Sequence, residues 1–419
     1  MYRSYDELPK IRLPDGRGVE DIRLSDSTLR EGAQMPGITM RHEHKVKIYE
    51  YLHRIGIEKT ESFLFAESDR SAVKEMLDLG YENPEVTGWA RANPRDIDLI
   101  LAADGIKETG ILMSVSDAHI FDKLGLRSRA EAREKYLEAF EYARAHGLRV
   151  RCHLEDITRA DLNGFVLPLV AEMIDRAPDT IMRMCDTLNF GIPFLAELPY
   201  SLPRIITGLG ECGVREIETH IHDDFGLGVA LALAGFWYGA TWADLTFLGM
   251  GERAGVGELE KVVVFLEQRV EGFHKYEMAC LSEFATYMEQ QVGLRVPANK
   301  AVVGRNVFAH ESGIHTAGVI KNPFIYEPYP PELVGAKRQL IIGATSGSEV
   351  IRHKVEEILR EQGTPHGGSA RVQPRVEKGD PLLSAIQAEI RRQFEAERSS
   401  CISDEEMREY VARYFCGVA

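Results

Sequence analysis

The stretch ETGILMSVSDAHIFDKLGLRSRAEAREKYLEAFEYARAHGLRVRCHLED, residues 108–156, contains a strand, a helix and a second strand in succession. ETGILMSVSD and LRVRCHLED are short runs typical of strands. RAEAREKYLEAFEYARAHG has the periodicity of an amphipathic helix that stops at His146 and Gly147. Because this order is the repeating unit of a parallel sheet, the stretch predicts an α/β fold.

The same alternation continues on both sides and gives eight candidate strands in all. The other six are DIRLSDSTLRE, EKTESFLF, EVTGWAR, TIMRMCDTLN, REIETHIHDD and WADLTFLGMG. Helix-period segments such as EHKVKIYEYLHRIG, SAVKEMLDLG and PRDIDLILAADG lie between them. This number of repeats predicts a (β/α)8 TIM barrel over roughly residues 20–275, with an open doubly wound sheet as the alternative.

The remaining chain divides by composition. We predict a TIM-barrel domain over 1–275, a small α/β C-terminal lobe over 276–362, a linker or mobile loop over 363–380, and C-terminal helices over 381–419. The lobe contains helix-like LSEFATYMEQQVG, a Gly- and His-rich segment and strand-like QLIIG. The linker is rich in Gly and Pro, and helical patterns follow it.

Composition narrows the function. The 419 residues are 44% hydrophobic and 27% charged, which is typical of a globular protein, and the net charge of -15 disfavours nucleic acid or an anionic membrane as partner. The uncharged run 226–243 approaches the length of a membrane span, but its glycines and flanking acidic residues predict a buried helix leading into a strand. Six scattered cysteines and a polar start, MYRSYDELPK, predict a cytoplasmic protein without a secretory signal.

Polar residues end almost every candidate strand, and in a barrel these ends meet at one mouth. His220 and His222 are two positions apart, so on a strand both imidazoles point to one face. With Glu31 after the first strand they suit a divalent metal, whose identity the ligands do not fix. The alternative is a pair of hydrogen-bonded histidines beside a helix cap made by Asp223 or Asp224.

A second same-face set is Arg151, His153 and Glu155. Such groups are costly to bury unless they bind something or one another. One interpretation is a guanidinium fork for a substrate carboxylate, with Glu155 near the reacting carbon. The other is an internal ion pair between Arg151 and Glu155.

Two further motifs carry histidine or glycine at short spacings. His310, Glu311 and His315 in FAHESGIH have HExxxH rather than HExxH spacing, and Gly313 predicts a loop there. GMGERAGVG lacks the pattern of a dinucleotide site, but its place after the last strand suits an anion-binding loop.

Four motifs in order resemble one family. DSTLREGAQ (26–34), HIHDDFGLGVA (220–230), GMGERAGVGELE (249–260) and HESGIHTAGVIKNP (310–323) resemble the Claisen-condensing acyltransferases of the DRE-TIM metallolyase superfamily. This group includes isopropylmalate, homocitrate, citramalate and Re-type citrate synthases. The resemblance implies that an acyl-CoA, here acetyl-CoA, loses an α proton and attacks the keto carbon of a metal-bound 2-oxo acid.

The resemblance also implies roles for individual residues. Arg30 would stabilise a developing oxyanion, and Glu31, His220 and His222 would hold Mn, Mg, Co or Zn. Thr187 matches a substrate-carboxylate binder, Glu155 an active-site acid, and His315 a catalytic histidine supplied by the small lobe, which thereby completes the active site. A homodimer in which the lobe covers the partner's barrel is implied as well.

Subfamily features favour a dicarboxylic 2-oxo acid. Glu31 and Arg151 occupy positions where homocitrate synthases carry the same residues, and the resemblance implies that Arg151 and His153 bind the substrate. His153 is larger than the serine of those enzymes and would shorten the pocket. GWARAN, ETGILMSVSDAHIF and RCHLEDITRAD resemble Re-type citrate synthases, so oxaloacetate is the expected substrate.

Alternatives and departures remain. Homocitrate formation from 2-oxoglutarate is the nearest alternative, followed by isopropylmalate-, citramalate- or phosphonomethylmalate-synthase-like activities, a carbon-carbon lyase and a non-catalytic barrel. Val256 stands where the family usually has Asn beside the metal, and no lobe tyrosine is evident. A long leucine-sensing domain is not expected.

Overall fold

The strands predicted from the sequence close into a barrel. The computed structural model describes residues 4–14, 16–362, 376–377 and 379–415. Each strand pairs in parallel with its neighbours in chain order, and β8 pairs with β1. The strands are β1 (Arg23–Asp26), β2 (Lys59–Ser62), β3 (Glu85–Arg91), β4 (Glu108–Ser114), β5 (Arg149–Glu155), β6 (Ile181–Asp186), β7 (Glu216–Ile221) and β8 (Trp242–Leu245). The TIM barrel is confirmed.

The helices of this part of the chain include one after each strand of the barrel, as the sequence pattern predicts. They are α1 (His42–Ile55), α2 (Glu67–Asp78), α3 (Pro94–Leu101), α4 (Arg129–Ala145), α5 (Leu167–Arg176), α6 (Leu202–Glu211), α7 (Gly228–Tyr238), α8 (Leu259–Arg269) and α9 (Leu281–Tyr287). The uncharged run contains α7 and leads into β8, as predicted. Among the described residues, no helix is long and apolar enough to cross a membrane.

Strand alternation separates an apolar layer from a polar barrel interior. On β5, Cys152 points outward and its Sγ lies 3.8 Å from Met173 Sδ on α5. Arg151 and His153 point inward and are each 1% exposed. The two faces of one strand therefore carry different chemistry, because side chains of a strand alternate in direction.

The chain forms two compact units, Pro9–Val296 and Pro297–Ala419 with Met1–Leu8. The second contains β9 (Ala309–His310), α10 (Gly313–Lys321), β10 (Gln339–Leu340), α11 (Ser348–Gln362), α12 (Pro381–Glu395) and α13 (Asp404–Phe415). Val350, Ile386 and Val411, one each from α11, α12 and α13, share a hydrophobic core. The domain boundaries given above stay predictions, and most of the proposed linker lies outside the described residues.

One local expectation was wrong. The sequence around Gly313 predicted a loop, whereas α10 begins there and includes His315. Gly313 stands at the first helical position, and a Cβ on it would lie 3.0 Å from the backbone nitrogen of Gly347. The glycine therefore serves close packing of two backbone segments rather than a turn.

Candidate metal centre and active site

The loop after β1 is shaped by a buried carboxylate. Asp26 accepts hydrogen bonds from the backbone nitrogen and hydroxyl of Thr28, both at 2.8 Å. Burial raises the pKa of Asp26 to about 8. The turn then continues with the Arg30 and Glu31 nitrogens donating to the Ser27 carbonyl at 3.0 and 2.6 Å. This loop places Arg30 and Glu31 side by side in the interior.

Glu31, His220 and His222 come together as the sequence expectation requires. Their ligand atoms lie within 4.8 Å of one another, and all three residues are buried. β7 ends at Ile221, and His222 continues it through a bridge to Val256. The two rings meet edge to face with centroids 5.2 Å apart. One carboxylate and two imidazoles thus converge from β1 and β7.

The ring nitrogens are set up for a metal ion. His220 Nδ1 lies 2.6 Å from Asp244 Oδ2, so its other nitrogen is left for a ligand bond. His222 Nδ1 is buried and has no hydrogen-bond partner within the described residues. Burial lowers the pKa of both histidines, which favours the neutral form that binds metals. The orphaned nitrogen and the Asp244 contact fit a divalent cation at this cluster.

Glu31 is held ionised by its surroundings. Its Oε1 accepts from the Glu252 backbone nitrogen at 3.1 Å, and Oε2 lies 2.5 Å from an Arg30 Nη1. Burial opposes ionisation, but the Arg30 guanidinium beside the carboxylate outweighs it and lowers the pKa of Glu31. Arg30 itself is 6% exposed and also donates Nε to Glu61 at 2.7 Å.

The segment GMGERAGVG, called the glycine loop below (249–257), supplies that backbone donor. Gly249 and Gly255 have φ of 70° and 81°, values that favour glycine. A Cβ on Gly255 would lie 1.8 Å from the Gly249 carbonyl oxygen. Val256 is fully buried and brings no polar side chain to His222. The Glu252 nitrogen of the glycine loop thus binds the Glu31 carboxylate, and binding of a substrate anion by this loop stays a prediction.

Arg151 and His153 lie deeper in the barrel. The Arg151 guanidinium is within 3.1 Å of Glu108 and 3.2 Å of Glu218, neither of which sequence reasoning singled out. His153 Nε2 lies 3.2 Å from Glu61 Oε2. Burial lowers the pKa of His153 to about 4, so the ring is neutral. This differs from the expectation of a fork open to substrate, because two buried carboxylates already occupy it.

A charge network missed at the sequence level fills the barrel interior. Arg183 is completely buried, and its guanidinium contacts Glu218 at 2.5 Å, Glu61 at 3.1 Å and Asp244 at 3.3 Å. Asp244 in turn holds His220. A charged residue in the middle of each of the predicted strands β6, β7 and β8, namely Arg183, Glu218 and Asp244, was the available signal. The network connects the interior of the barrel to the ligand cluster.

Glu155 belongs to a separate group at the end of β5. Its carboxylate accepts a hydrogen bond from the Ser114 hydroxyl. Lys123 Nζ donates to both carboxylate oxygens, at 2.6 and 2.8 Å, and His119 Nδ1 lies 3.1 Å away. Burial alone would raise the pKa of Glu155, but bonds from His119, Lys123 and Ser114 outweigh it and lower the pKa to about 2. Glu155 is therefore ionised in this chain, whereas the sequence favoured an acid.

Thr187 lies next to this group. Its hydroxyl accepts a hydrogen bond from the backbone nitrogen of Asp156 at 2.9 Å, and its carbonyl accepts from Arg253. The hydroxyl can still donate a hydrogen bond. That donor is what binding a substrate carboxylate would require.

His315 belongs to the second compact unit. Its ring stands 4.4 Å, centroid to centroid, from that of Tyr326. Gly318 makes room for this tyrosine, because a Cβ there would lie 2.7 Å from the Tyr326 ring. The neighbouring Ile314 is 77% exposed. Sequence reasoning missed Tyr326, whose position beside His315 depends on how α10 and the following turn pack.

Comparison with known proteins identifies the family of this chain. Residues 21–286 match the HMGL-like family, and residues 302–362 match the homocitrate synthase post-HMGL domain-like family. The chain belongs to the DRE-TIM Claisen-condensing family. It is an acyltransferase that converts the acyl group into an alkyl group on transfer.

Individual relatives include enzymes with different substrates. The chain is 35% identical to citrate (Re)-synthase of Clostridium kluyveri, covering 98% of this chain and 92% of that protein. It is 39% identical to a probable 2-isopropylmalate synthase of Ignicoccus hospitalis, covering 83% and 84%. A solved hydroxymethylglutaryl-CoA lyase from Pseudomonas aeruginosa shares the fold with a TM-score of 0.53 at 21% identity, over 66% of this chain and 96% of that one.

Proposed function

We propose that this chain condenses acetyl-CoA with a dicarboxylic 2-oxo acid, oxaloacetate, and that water then hydrolyses the thioester of the product to give citrate and CoA. The observation that carries this proposal is the buried cluster of Glu31, His220 and His222 with Arg30 in contact. The alignment with citrate (Re)-synthase covers 98% of this chain, whereas that with the isopropylmalate synthase covers 83%. This difference supports oxaloacetate as the substrate. Both relatives are less than 40% identical to this chain, and both are compatible with the general reaction, condensation of acetyl-CoA with a 2-oxo acid.

A divalent cation, Mn, Mg, Co or Zn, bound by Glu31, His220 and His222 would polarise the keto carbonyl of the 2-oxo acid as a Lewis acid. Arg30 adds a guanidinium that stabilises negative charge on an oxygen at the same place.

Other side chains act on the substrates directly. Thr187 offers its hydroxyl proton to a substrate carboxylate. Glu155, held ionised, accepts a proton or a hydrogen bond rather than donating one. His315, with Tyr326 against its ring, is proposed as the proton-transferring histidine of the small lobe. His153, which packs against Glu61, limits the length of the 2-oxo acid.

Homocitrate synthesis from 2-oxoglutarate is the second candidate. It is favoured by the match of residues 302–362 to the homocitrate synthase post-HMGL domain-like family. We further propose that the enzyme is a cytoplasmic homodimer, that residues 276–362 form the lobe that completes the active site, and that 363–380 link it to the last helices.

A panel of 2-oxo acids tests the function. Purified enzyme is incubated with acetyl-CoA, a divalent cation and oxaloacetate, 2-oxoglutarate, pyruvate or 2-oxoisovalerate, and thiol release is followed. We expect kcat/KM for oxaloacetate to exceed the others by about tenfold or more, which corresponds to roughly 1.4 kcal/mol of differential transition-state binding. Samples without a 2-oxo acid control for simple thioester hydrolysis. Preference for 2-oxoisovalerate would overturn the dicarboxylate assignment, and no thiol release with any acid would overturn the condensation.

A further inference from the structure

A short π-helical turn follows β4 and directs two basic side chains at Glu155. The turn spans Ala118–Lys123 and closes with the Leu124 nitrogen donating to the His119 carbonyl at 2.9 Å. His119 and Lys123 are four residues apart, so in this turn they project to nearly the same side. Asp117, at the start of the turn, pairs with Arg129 at 2.7 Å.

Both oxygens of Glu155 are occupied by donors from this region. Lys123 Nζ bridges Oε1 at 2.6 Å and Oε2 at 2.8 Å. His119 Nδ1 and the Ser114 hydroxyl converge on Oε2. The Glu155 side chain is 16% exposed and that of Lys123 is 44% exposed. The carboxylate is thus fixed in the barrel while its cationic partner remains in reach of solvent.

We propose that Lys123 and His119 are positioning residues for the condensation, which hold the Glu155 carboxylate in one orientation and in its ionised form at the mouth of the barrel. This inference rests on the proposed function. It assigns a role to two residues that the sequence analysis gave none. A bridged carboxylate cannot rotate freely, and small errors in the placement of a reacting group are costly in rate.

The charges around Glu155 come from several elements. His119 and Lys123 face it from the π-helical turn, and Asp156 follows it in the chain. Tyr136 of α4 donates to the Ser114 carbonyl at 2.6 Å, and Cys185 pairs with Glu155 in the β5–β6 register. Among these, Lys123 is the cation nearest to the carboxylate. Its removal should therefore raise the pKa of Glu155 toward the ordinary value.

The kinetic test uses Lys123→Met, Lys123→Arg and His119→Asn in the full chain. Lys123→Met should lower kcat about 10- to 100-fold, and the acidic limb of the kcat/KM profile should move up by about one pH unit or more. Lys123→Arg, which keeps the positive charge, should retain most of the wild-type kcat and the wild-type position of the acidic limb. His119→Asn should lower kcat and should shift the acidic limb of the kcat/KM profile by less than Lys123→Met does. Lys74→Met, which removes an exposed ion pair with Asp78 on α2, is the matched control and should change neither.

A second measurement does not depend on turnover. Carboxyl-¹³C glutamate is incorporated, and the Glu155 signal is assigned from its loss in Glu155→Gln. In a titration from pH 8 downward, its midpoint should lie about one pH unit or more higher in Lys123→Met than in the wild type. If both proteins titrate alike, or if Lys123→Met keeps the wild-type kcat and pH profile, the inference is overturned. A wild type without condensing activity overturns the proposed function instead, while the titration still decides the role of Lys123.

Discussion

Individual residues of this barrel carry charge in places where charge is expensive. The ligand cluster and the interior network keep Arg30, Arg183 and Arg151 almost without solvent, and each has carboxylate neighbours within 3.3 Å. Buried ion pairs of this kind contribute little net stability, yet removal of one partner is severe because the other charge remains uncompensated. The effect of a substitution on stability and its effect on activity are therefore measured separately for each residue.

His220 tests the metal ligands. His220→Ala should lose the bound cation and condensing activity, because it removes one of the three proposed protein ligands. The barrel should remain folded. Metal content by mass spectrometry, circular dichroism and thiol release give the three readouts. His146→Ala, at the exposed end of α4, is the control and should keep the metal. A fully active His220→Ala enzyme would exclude this site.

Arg151 distinguishes a substrate fork from a structural charge. Arg151→Met leaves Glu108 and Glu218 without their guanidinium, so we expect the free energy of unfolding to fall by roughly 3 to 5 kcal/mol. The relative kcat/KM for oxaloacetate and pyruvate should hardly change. Arg133→Met, which removes the partly exposed pair with Glu172, should cost at most about 1 kcal/mol. A selective loss on oxaloacetate would instead establish Arg151 as the substrate fork.

Elements of the fold carry function mainly through their ends. The loop after β1, the end of β7 and the glycine loop meet at one place, because the strands of a TIM barrel all end at the same face. The π-helical turn after β4 acts at the neighbouring end of β5. The helices and the apolar layer hold these ends in register but contribute no group to the ligand cluster.

The glycine loop can be tested by one methyl group. Gly255→Ala requires a strained φ and places its Cβ against the Gly249 carbonyl, so we expect a loss of about 1 to 3 kcal/mol in unfolding free energy and weaker metal binding. Gly210→Ala is the matched control, since its Cβ meets nothing within 4 Å in α6 and helix propensity favours alanine. Chemical denaturation and metal titration measure both. Unchanged metal affinity in Gly255→Ala would remove the loop from the site.

The whole molecule consists of two compact units, and the predicted site residues are shared between them. The three proposed metal ligands, Arg30, Glu155 and Thr187 belong to Pro9–Val296, whereas His315 belongs to Pro297–Ala419. The proposed roles therefore predict that cation binding needs only the first unit, whereas condensation needs both.

Truncation tests that separation. A chain of residues 9–296 should still bind the divalent cation, because all three ligands are retained, but should not condense acetyl-CoA with any 2-oxo acid. His315→Ala in the full chain should retain metal binding and lose at least about 100-fold in kcat, in line with the usual contribution of general acid-base catalysis. Metal content and thiol release measure both. Condensation by the truncated chain would show that the second unit is dispensable.

Much of the fold and part of the site follow from the sequence alone. Alternating strand and helix patterns predicted every strand of the barrel, because periodicity of 2 and 3.6 is a local property of the chain. The spacing of His220 and His222 likewise fixed their common face. The loop expected at Gly313 failed because a glycine can serve close packing of distant backbone segments as well as a turn.

Only the tertiary structure decided which charges meet. Arg151 and Glu155 share a strand face, yet Arg151 pairs with Glu108 and Glu218 while Glu155 pairs with Lys123. These partners come from other strands and turns, at sequence distances that periodicity does not relate. The strength of an electrostatic interaction depends on separation and burial in three dimensions. The sequence therefore determined the barrel and the residue types of the proposed metal ligands, and barrel closure determined the ionisation and partners of the groups around them.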